Sequence, residues 1–244
     1  MPYYIISDAH ETGGDARDYS ACNPRFALDL KGFVAMADDN PIIRLGDWYD
    51  FWRGRRGRVA GCESGAEHLW AGRKRDVRLE GNHDPGTGPV SLMLNVGGKR
   101  FLFHHGTRLD AANSGVRRII GWLATKIAAL VMDWNGSPIW PTGETVDERL
   151  FRLIGHAPDD ARFEAAAERY RQLMGADFIV CGHTHRMAVK ERYANSGRWP
   201  QYLVIEDDGR VHAETWKGGA LKPSGWGIAP AKSPPRKPLR PQGL

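Results

Sequence analysis

A chain of 244 residues, 41% hydrophobic and 26% charged, is long enough to bury a full core and has the composition of an ordinary globular protein. Its formal charge of +5 invites a nucleic-acid reading, but six of the 34 basic residues (Lys217, Lys222, Lys232, Arg236, Lys237, Arg240) follow the last acidic one, Glu214. The remaining 28 face 29 acidic residues, so the body is near neutral and the excess belongs to the tail. Cys22, Cys62 and Cys181 have no CxxC spacing, which argues against a disulfide framework or a zinc ribbon and for a reducing, cytoplasmic setting. No basic n-region precedes Tyr3, and no apolar run reaches the ~20 residues of a membrane span, so neither a secretory signal nor a transmembrane segment is expected.

In chain order, Tyr3 to Ser7 reads as a buried strand ending in Asp8-Ala9-His10. A polar loop leads to Asn23-Pro24, an N-cap with proline at the first helical position. Phe26, Leu30, Phe33, Val34 and Ala37 then recur at helical spacing as far as Asp39-Asn40. A second strand, Pro41 to Leu45, ends in Gly46-Asp47, completing a β-α-β unit that predicts two parallel strands. A helix is expected over Ser64 to Lys74, and a strand over Val77 to Glu80 that runs into Gly81-Asn82-His83-Asp84. Leu92 to Val96 and Arg100 to Phe103 form a pair joined at Gly97-Gly98, the second leading to His104-His105-Gly106.

A long, mostly helical insert follows, from about 107 to 175, with an apolar stripe from Val116 to Val131 and a last helix over about Asp160 to Met174. Phe178 to Cys181 is a short apolar strand closed by Gly182-His183-Thr184-His185. Tyr202 to Ile205 and Val211 to Trp216 flank Asp207-Asp208-Gly209, a hairpin signal. From 221 to 244 proline and basic residues dominate, a composition that predicts a disordered tail; residues 1–220 form the folded domain.

Five strand ends thus carry one kind of residue: Asp8 and His10, Asp47, Asn82 and His83, His105, and His183 and His185. Each follows a short apolar run, so all are expected on one edge of one sheet, where α/β folds place ligands. Carboxylates, imidazoles and an amide oxygen suit manganese, iron or zinc. Leaving His83 aside, seven ligand candidates exceed one tetrahedral site and suit two ions about 3.5–4 Å apart, with one carboxylate bridging. His104 and His105 point to opposite faces of their strand, and either can be the ligand on this reasoning.

Asp8-x-His10, Gly46-Asp47, Gly81-Asn82-His83-Asp84, His105-Gly106 and Gly182-His183-x-His185 together resemble the motif series of the calcineurin-like metallophosphoesterases, in the family's order. The resemblance implies an α/β fold, a four-layer α/β/β/α sandwich, here with a helical insert or lid and the disordered tail. It implies two divalent ions, manganese first among them: Asp8, His10, Asp47 and His185 on one, and Asp47, Asn82, His105 and His183 on the other. The family's pattern has the histidine directly before glycine, which implies His105 rather than His104. The implied activity is hydrolysis of a phosphodiester or phosphoanhydride by metal-activated water. His83 would steady the transition state or protonate the leaving oxygen, with Asp84 orienting its ring.

Gly46-Asp47-Trp48-Tyr49-Asp50-Phe51-Trp52, the insert and Cys181 to Arg186 are similar to the branch containing UDP-2,3-diacylglucosamine pyrophosphatase, in which a helical lid binds acyl chains. The stripe from Val116 to Val131 serves equally as such a lid or as a helix packed on the core. Departures from that branch stand at His83, Thr107 and Arg198. Arg53 and Arg56, in a run of arginines after the Asp47 loop, are candidate substrate contacts or a solvated loop; Asn82 and Arg186 are further candidates. The partner expected is a small or lipid-linked phosphate ester. The alternatives are a nuclease or nucleotide phosphodiesterase, a phosphomonoesterase, and a non-catalytic scaffold of the same fold. Nucleic acid is disfavoured by the near-neutral body, and the tail allows peripheral membrane contact.

Overall fold

Alternation within the short apolar runs decides the architecture. In β1 (Tyr3–Ile6) and β2 (Ile42–Arg44), Ile5 and Ile43 point into one cluster of buried side chains while Ile6 and Ile42 point into another. In β5 (Lys99–His104) and β6 (Phe178–Cys181), Phe101, Phe103, Phe178 and Val180 join Ile5 and Ile43, and Leu102, Ile179 and Cys181 face a third cluster. Strands apolar on both faces must be covered on both faces, and a layered sandwich follows. The computed structural model describes residues 1–11, 26–52, 67–70, 72–110, 123 and 160–218.

Two five-stranded mixed sheets stack face to face. The first has the order β10-β9-β1-β2-β3, with β3 at Val77–Arg78, β9 at Gln201–Ile205 and β10 at Val211–Thr215. The second has the order β4-β5-β6-β8-β7, with β4 at Ser91–Val96, β7 at Ala188–Val189 and β8 at Tyr193–Asn195. Helix α1 (Phe26–Ala37) packs Phe26, Leu30, Phe33 and Ala37 on the outside of the first sheet. Helix α2 (Asp160–Leu173) packs Phe163 and Ala167 on the outside of the second. The order of layers is α/β/β/α. Phe33 is a hub of the outer cluster, with Trp199, Tyr202 and Tyr4 rings at 5.2, 5.0 and 5.9 Å; truncating such a side chain to alanine costs about 3–5 kcal/mol.

The β-α-β expectation holds in its pairing: β1 and β2 are parallel neighbours, with Ile5 opposite Ile43. The hairpins follow too. Gly97 and Gly98 both take positive φ, 57° and 78°, the pair of left-handed residues that a two-residue turn requires, and β4 and β5 pair antiparallel across it.

Two expectations are corrected. Over Ser64 to Lys74 the described part is only a 3-10 turn at Glu67–Trp70, which packs Trp70 edge-on against Trp48 at 5.3 Å and is followed by Gly72 at φ 86°, a backbone that ends a helix. The five strand ends also do not share one sheet. β1, β2 and β3 are parallel in the first sheet, whereas β5 and β6 are parallel in the second. The chain changes sheets after β3, because β4 takes β5 as its antiparallel partner rather than extending the first sheet. Ligand-bearing loops from both sheets nonetheless face each other across one end of the sandwich, as the contacts below show.

The stripe from Val116 to Val131 (apart from Leu123), Arg53, Arg56 and the tail from 221 to 244 lie outside the described residues. Among the described residues, no helix is long and apolar enough to cross a membrane.

Candidate metal centre

The loops after β1, β2 and β6 hold their residues in an unusual backbone conformation. Six non-glycine residues among those described have positive φ, and five of them are Asp8 (55°), His10 (52°), Asp47 (50°), His183 (72°) and His185 (58°). The sixth, Asp38, closes α1. A left-handed residue other than glycine costs about 1–3 kcal/mol and persists only where its surroundings over-determine it. Small residues beside these loops allow them to close. A Cβ on Gly81 would lie 2.0 Å from Asp47 Oδ1, and one on Gly182 would lie 2.9 Å from Asp8 Oδ2.

Asp8, His10 and His185 bring three ligand atoms together. His185 Nε2 is 3.2 Å and His10 Nε2 3.8 Å from Asp8 Oδ1, and the two Nε2 atoms are 3.2 Å apart. The other oxygen of Asp8 accepts hydrogen bonds from Ser7 Oγ and from the His183 N–H. Oδ1 is buried with no hydrogen-bond partner among the described residues. Two imidazole nitrogens facing each other and a carboxylate oxygen could hold a cation between them. For bonds of about 2.0–2.2 Å, ligand atoms around one ion lie roughly 3–3.5 Å apart; the two separations made by His185 Nε2, both 3.2 Å, fall in that range, and the third is 3.8 Å.

Asp47, His105 and His183 form a second such group. Asp47 Oδ2 is 3.1 Å from His105 Nε2, itself buried without a hydrogen-bond partner among the described residues. His105 Nδ1 is 2.8 Å from the Leu45 carbonyl, and His183 Nε2 is 3.0 Å from Asp110 Oδ2. Metal-binding histidines commonly donate their second N–H to a carbonyl or carboxylate, which fixes the tautomer. On these grounds each group could hold a divalent ion, and His10, Asp50 and His83 make a third such group.

The electrostatics agree. Burial alone would raise the Asp8 and Asp47 carboxyls, but the facing imidazoles, His105 foremost, hold both well below the usual carboxylate range. Burial would lower His105, but Asp47 overrides it and pushes the ring up to about 10. Burial takes His10 down to about 4, which suits a neutral ligand.

Asn82 is buried and accepts from Thr107 Oγ1 at 3.4 Å. His104 turns the other way: its Nδ1 accepts the Gly106 N–H at 2.8 Å and its ring packs edge-on against Tyr170 of α2 at 5.2 Å. Arg186 is exposed and paired with Asp160 at the start of α2. His83 lies beside the first group, its ring edge-on to His10 at 4.7 Å.

Asp84 does not orient His83, contrary to expectation. The His83 Nδ1 partner is Asp50 Oδ1 at 2.9 Å. Asp84, fully buried, instead accepts four backbone N–H groups: Asp47 at 3.1 Å, Trp48 at 2.9 Å, Tyr49 at 3.3 Å and Gly81 at 2.6 Å. It ties the β2 loop to the β3 loop, because a carboxylate placed where several amides converge binds them rather than a side chain. Burial, then the charge of Asp47, raises its carboxyl to about 6.

Asp50 and Asp110 are the residues that sequence reasoning missed. Asp50 stands three places after Asp47 in the same aromatic loop, a signal that was present. Asp110 stands four places after Gly106 and reaches a histidine 73 positions away, a contact that no local pattern shows.

No known family model matches the chain, and no curated protein matches it significantly. Solved structures similar to it include a conserved, predicted phosphoesterase from Streptococcus pneumoniae (15% identity, 89% of this chain and 90% of that one, TM-score 0.43). Another is Vps29 complexed with zinc from Entamoeba histolytica (14%, 88% and 97%, TM-score 0.45). A third is the cold-active protein-tyrosine phosphatase of a Shewanella species (14%, 89% and 78%, TM-score 0.41). At this distance none of them assigns an activity to the chain.

Proposed function

We propose that this protein is a metallophosphoesterase using two divalent ions, manganese first among the candidates. The observation that carries the reading is the convergence of Asp8, His10 and His185, and of Asp47, His105 and His183, on loops whose left-handed ligand residues are otherwise costly. In this reading Asp47 would be shared between the ions and Asn82 would help to hold the second. When bound, the ions supply charge neutralisation at phosphorus and an activated water. The chain's own part is to hold these ligands rigidly and to present His83 to the leaving oxygen, with Asp50 orienting the ring and Asp84 fixing the loops beneath it.

The substrate class is a small phosphodiester or phosphoanhydride. The lipid-linked UDP-diacylglucosamine reading rests on sequence resemblance, and Arg53 and Arg56 as phosphate contacts rest on their place after the Asp47 loop and on guanidinium chemistry. Arg186 joins them only by exchanging Asp160 for a substrate anion. Hydrolysis of bis(p-nitrophenyl) phosphate with added manganese, zinc or iron tests the class. Turnover that disappears in Asp47→Ala supports it, as does a His83→Ala loss that is partial on this aryl diester and larger on an alkyl one; a wild-type protein that binds metal yet turns over nothing would favour a scaffold. A panel of UDP-diacylglucosamine, nucleotide pyrophosphates, cyclic nucleotides, phosphomonoesters and single-stranded DNA then separates the substrates.

A further inference from the structure

The His83 ring is held on more than one side. Its Nδ1 is 2.9 Å from Asp50 Oδ1, and that same oxygen accepts the Trp52 backbone N–H at 3.0 Å. The Trp52 indole then lies flat on the imidazole, with centroids 4.2 Å apart and planes 26° from parallel, and is 7% exposed. His10 meets the ring edge-on. The backbone is tied as well: His83 N–H donates to Asp47 Oδ1 at 2.8 Å, and the His83 carbonyl accepts from Phe51 N–H at 3.1 Å. A single hydrogen bond at Nδ1 leaves an imidazole able to rock about that bond, swinging Nε2 towards or away from a leaving oxygen. A flat aromatic surface against the ring face opposes that rocking.

We propose that Trp52 is a positioning residue: its indole and Asp50 together fix the His83 imidazole so that Nε2 meets the leaving oxygen. The inference rests on the phosphoesterase reading and on the His83 role given there. Its effect depends on the leaving group. An alkoxide needs a well-placed donor, whereas p-nitrophenolate departs with little help. A misplacement near 1 Å costs on the order of 100-fold in such a step.

The test compares Trp52→Ala, Trp52→Phe, His83→Ala and the double variant Trp52→Ala/His83→Ala, manganese-loaded, on bis(p-nitrophenyl) phosphate and on a dialkyl phosphate diester. Metal content and melting temperature are measured for each. Trp52→Ala is expected to lose about 10–100-fold in kcat on the alkyl diester with KM little changed, and far less on the aryl diester. Trp52→Phe, which keeps a flat ring, should recover most of the loss. In the His83→Ala background, Trp52→Ala should add nothing. Equal losses on both diesters, or additive losses in the double variant, overturn the proposal. If Trp52→Ala fails to fold, the leaving-group dependence of Trp52→Phe and Trp52→Leu decides it, with equal activity of the two overturning the flat-ring argument. A wild type that hydrolyses neither diester overturns the phosphoesterase reading and this proposal with it; an active wild type with a neutral Trp52→Ala overturns the proposal alone.

Discussion

Gly81→Ala tests how tightly the two loops must close around Asp47. A Cβ at Gly81 would sit 2.0 Å from Asp47 Oδ1, 2.7 Å from its Cγ and 2.5 Å from its backbone nitrogen. Ordinary contacts begin near 3.4 Å, so the overlap approaches 1.4 Å with the carboxylate and 0.9 Å with the backbone. Rotating the Asp47 side chain relieves only the first, because its backbone N–H is anchored on Asp84 at 3.1 Å. The loops must therefore separate or Asp47 must leave His105, 3.1 Å away. Overpacking of this kind costs about 1–3 kcal/mol, and a chain of this size loses about 2–4 °C in Tm for each kcal/mol, which makes a fall of about 2–12 °C. The displaced carboxylate should weaken manganese binding at least as much as losing a supporting contact does, about 10–100-fold. Gly81 has no left-handed φ, so backbone strain from alanine itself does not confuse the result. Calorimetric titration of the chelator-treated protein reads the affinity, and thermal melts with and without metal read the stability. Wild-type affinity and stoichiometry in Gly81→Ala would refute the closed-loop argument and the Asp47 assignment.

Three other outcomes are expected. Asp50→Asn should lower kcat about 10–100-fold and, because its second oxygen lies 3.6 Å from His10 Nδ1, weaken manganese affinity while leaving the stoichiometry at the wild-type value; loss of a bound ion would make Asp50 a ligand, as its grouping with His10 and His83 allows. Asp110→Asn should weaken one of two binding events about 10–100-fold in a metal titration, and an unchanged isotherm would deny Asp110 any hold on His183. The metal-free protein should lose stability as pH rises. His105 is raised from 6.5 to about 10 by Asp47, so its contribution is complete below pH 6.5 and is lost as pH climbs through 10. Melts of chelated protein across that range should therefore fall, fall less with metal bound, and stay flatter in His105→Gln; identical slopes for wild type and His105→Gln would remove His105 as the cause.

The sandwich was readable because its determinants are local. Ile5 and Ile6, or Phe101, Leu102 and Phe103, announce two buried faces by adjacency alone, and Gly97-Gly98 or Asp208-Gly209 mark their turns. The helix expected over Ser64 to Lys74 shows where such reasoning ends: its described part is a short turn held by Trp70 against Trp48, a tertiary contact that outweighs local propensity. The same boundary runs through the site. Asp8, His10, Asp47, Asn82, His105, His183 and His185 could be picked out because each follows a buried strand, and ligand type shows in residue type. What each carboxylate supports does not show. From the sequence, Asp84 beside His83 is the obvious partner for its ring, and Asp50 is one acid in an aromatic loop. The geometry reverses them, because the amides of Asp47, Trp48, Tyr49 and Gly81 converge where Asp84 stands and take both its oxygens. That exchange separates the two residues functionally. Removing Asp84 should unlace the loops and lower stability and metal binding together, whereas removing Asp50 should release the His83 ring and loosen His10, at a smaller cost in stability.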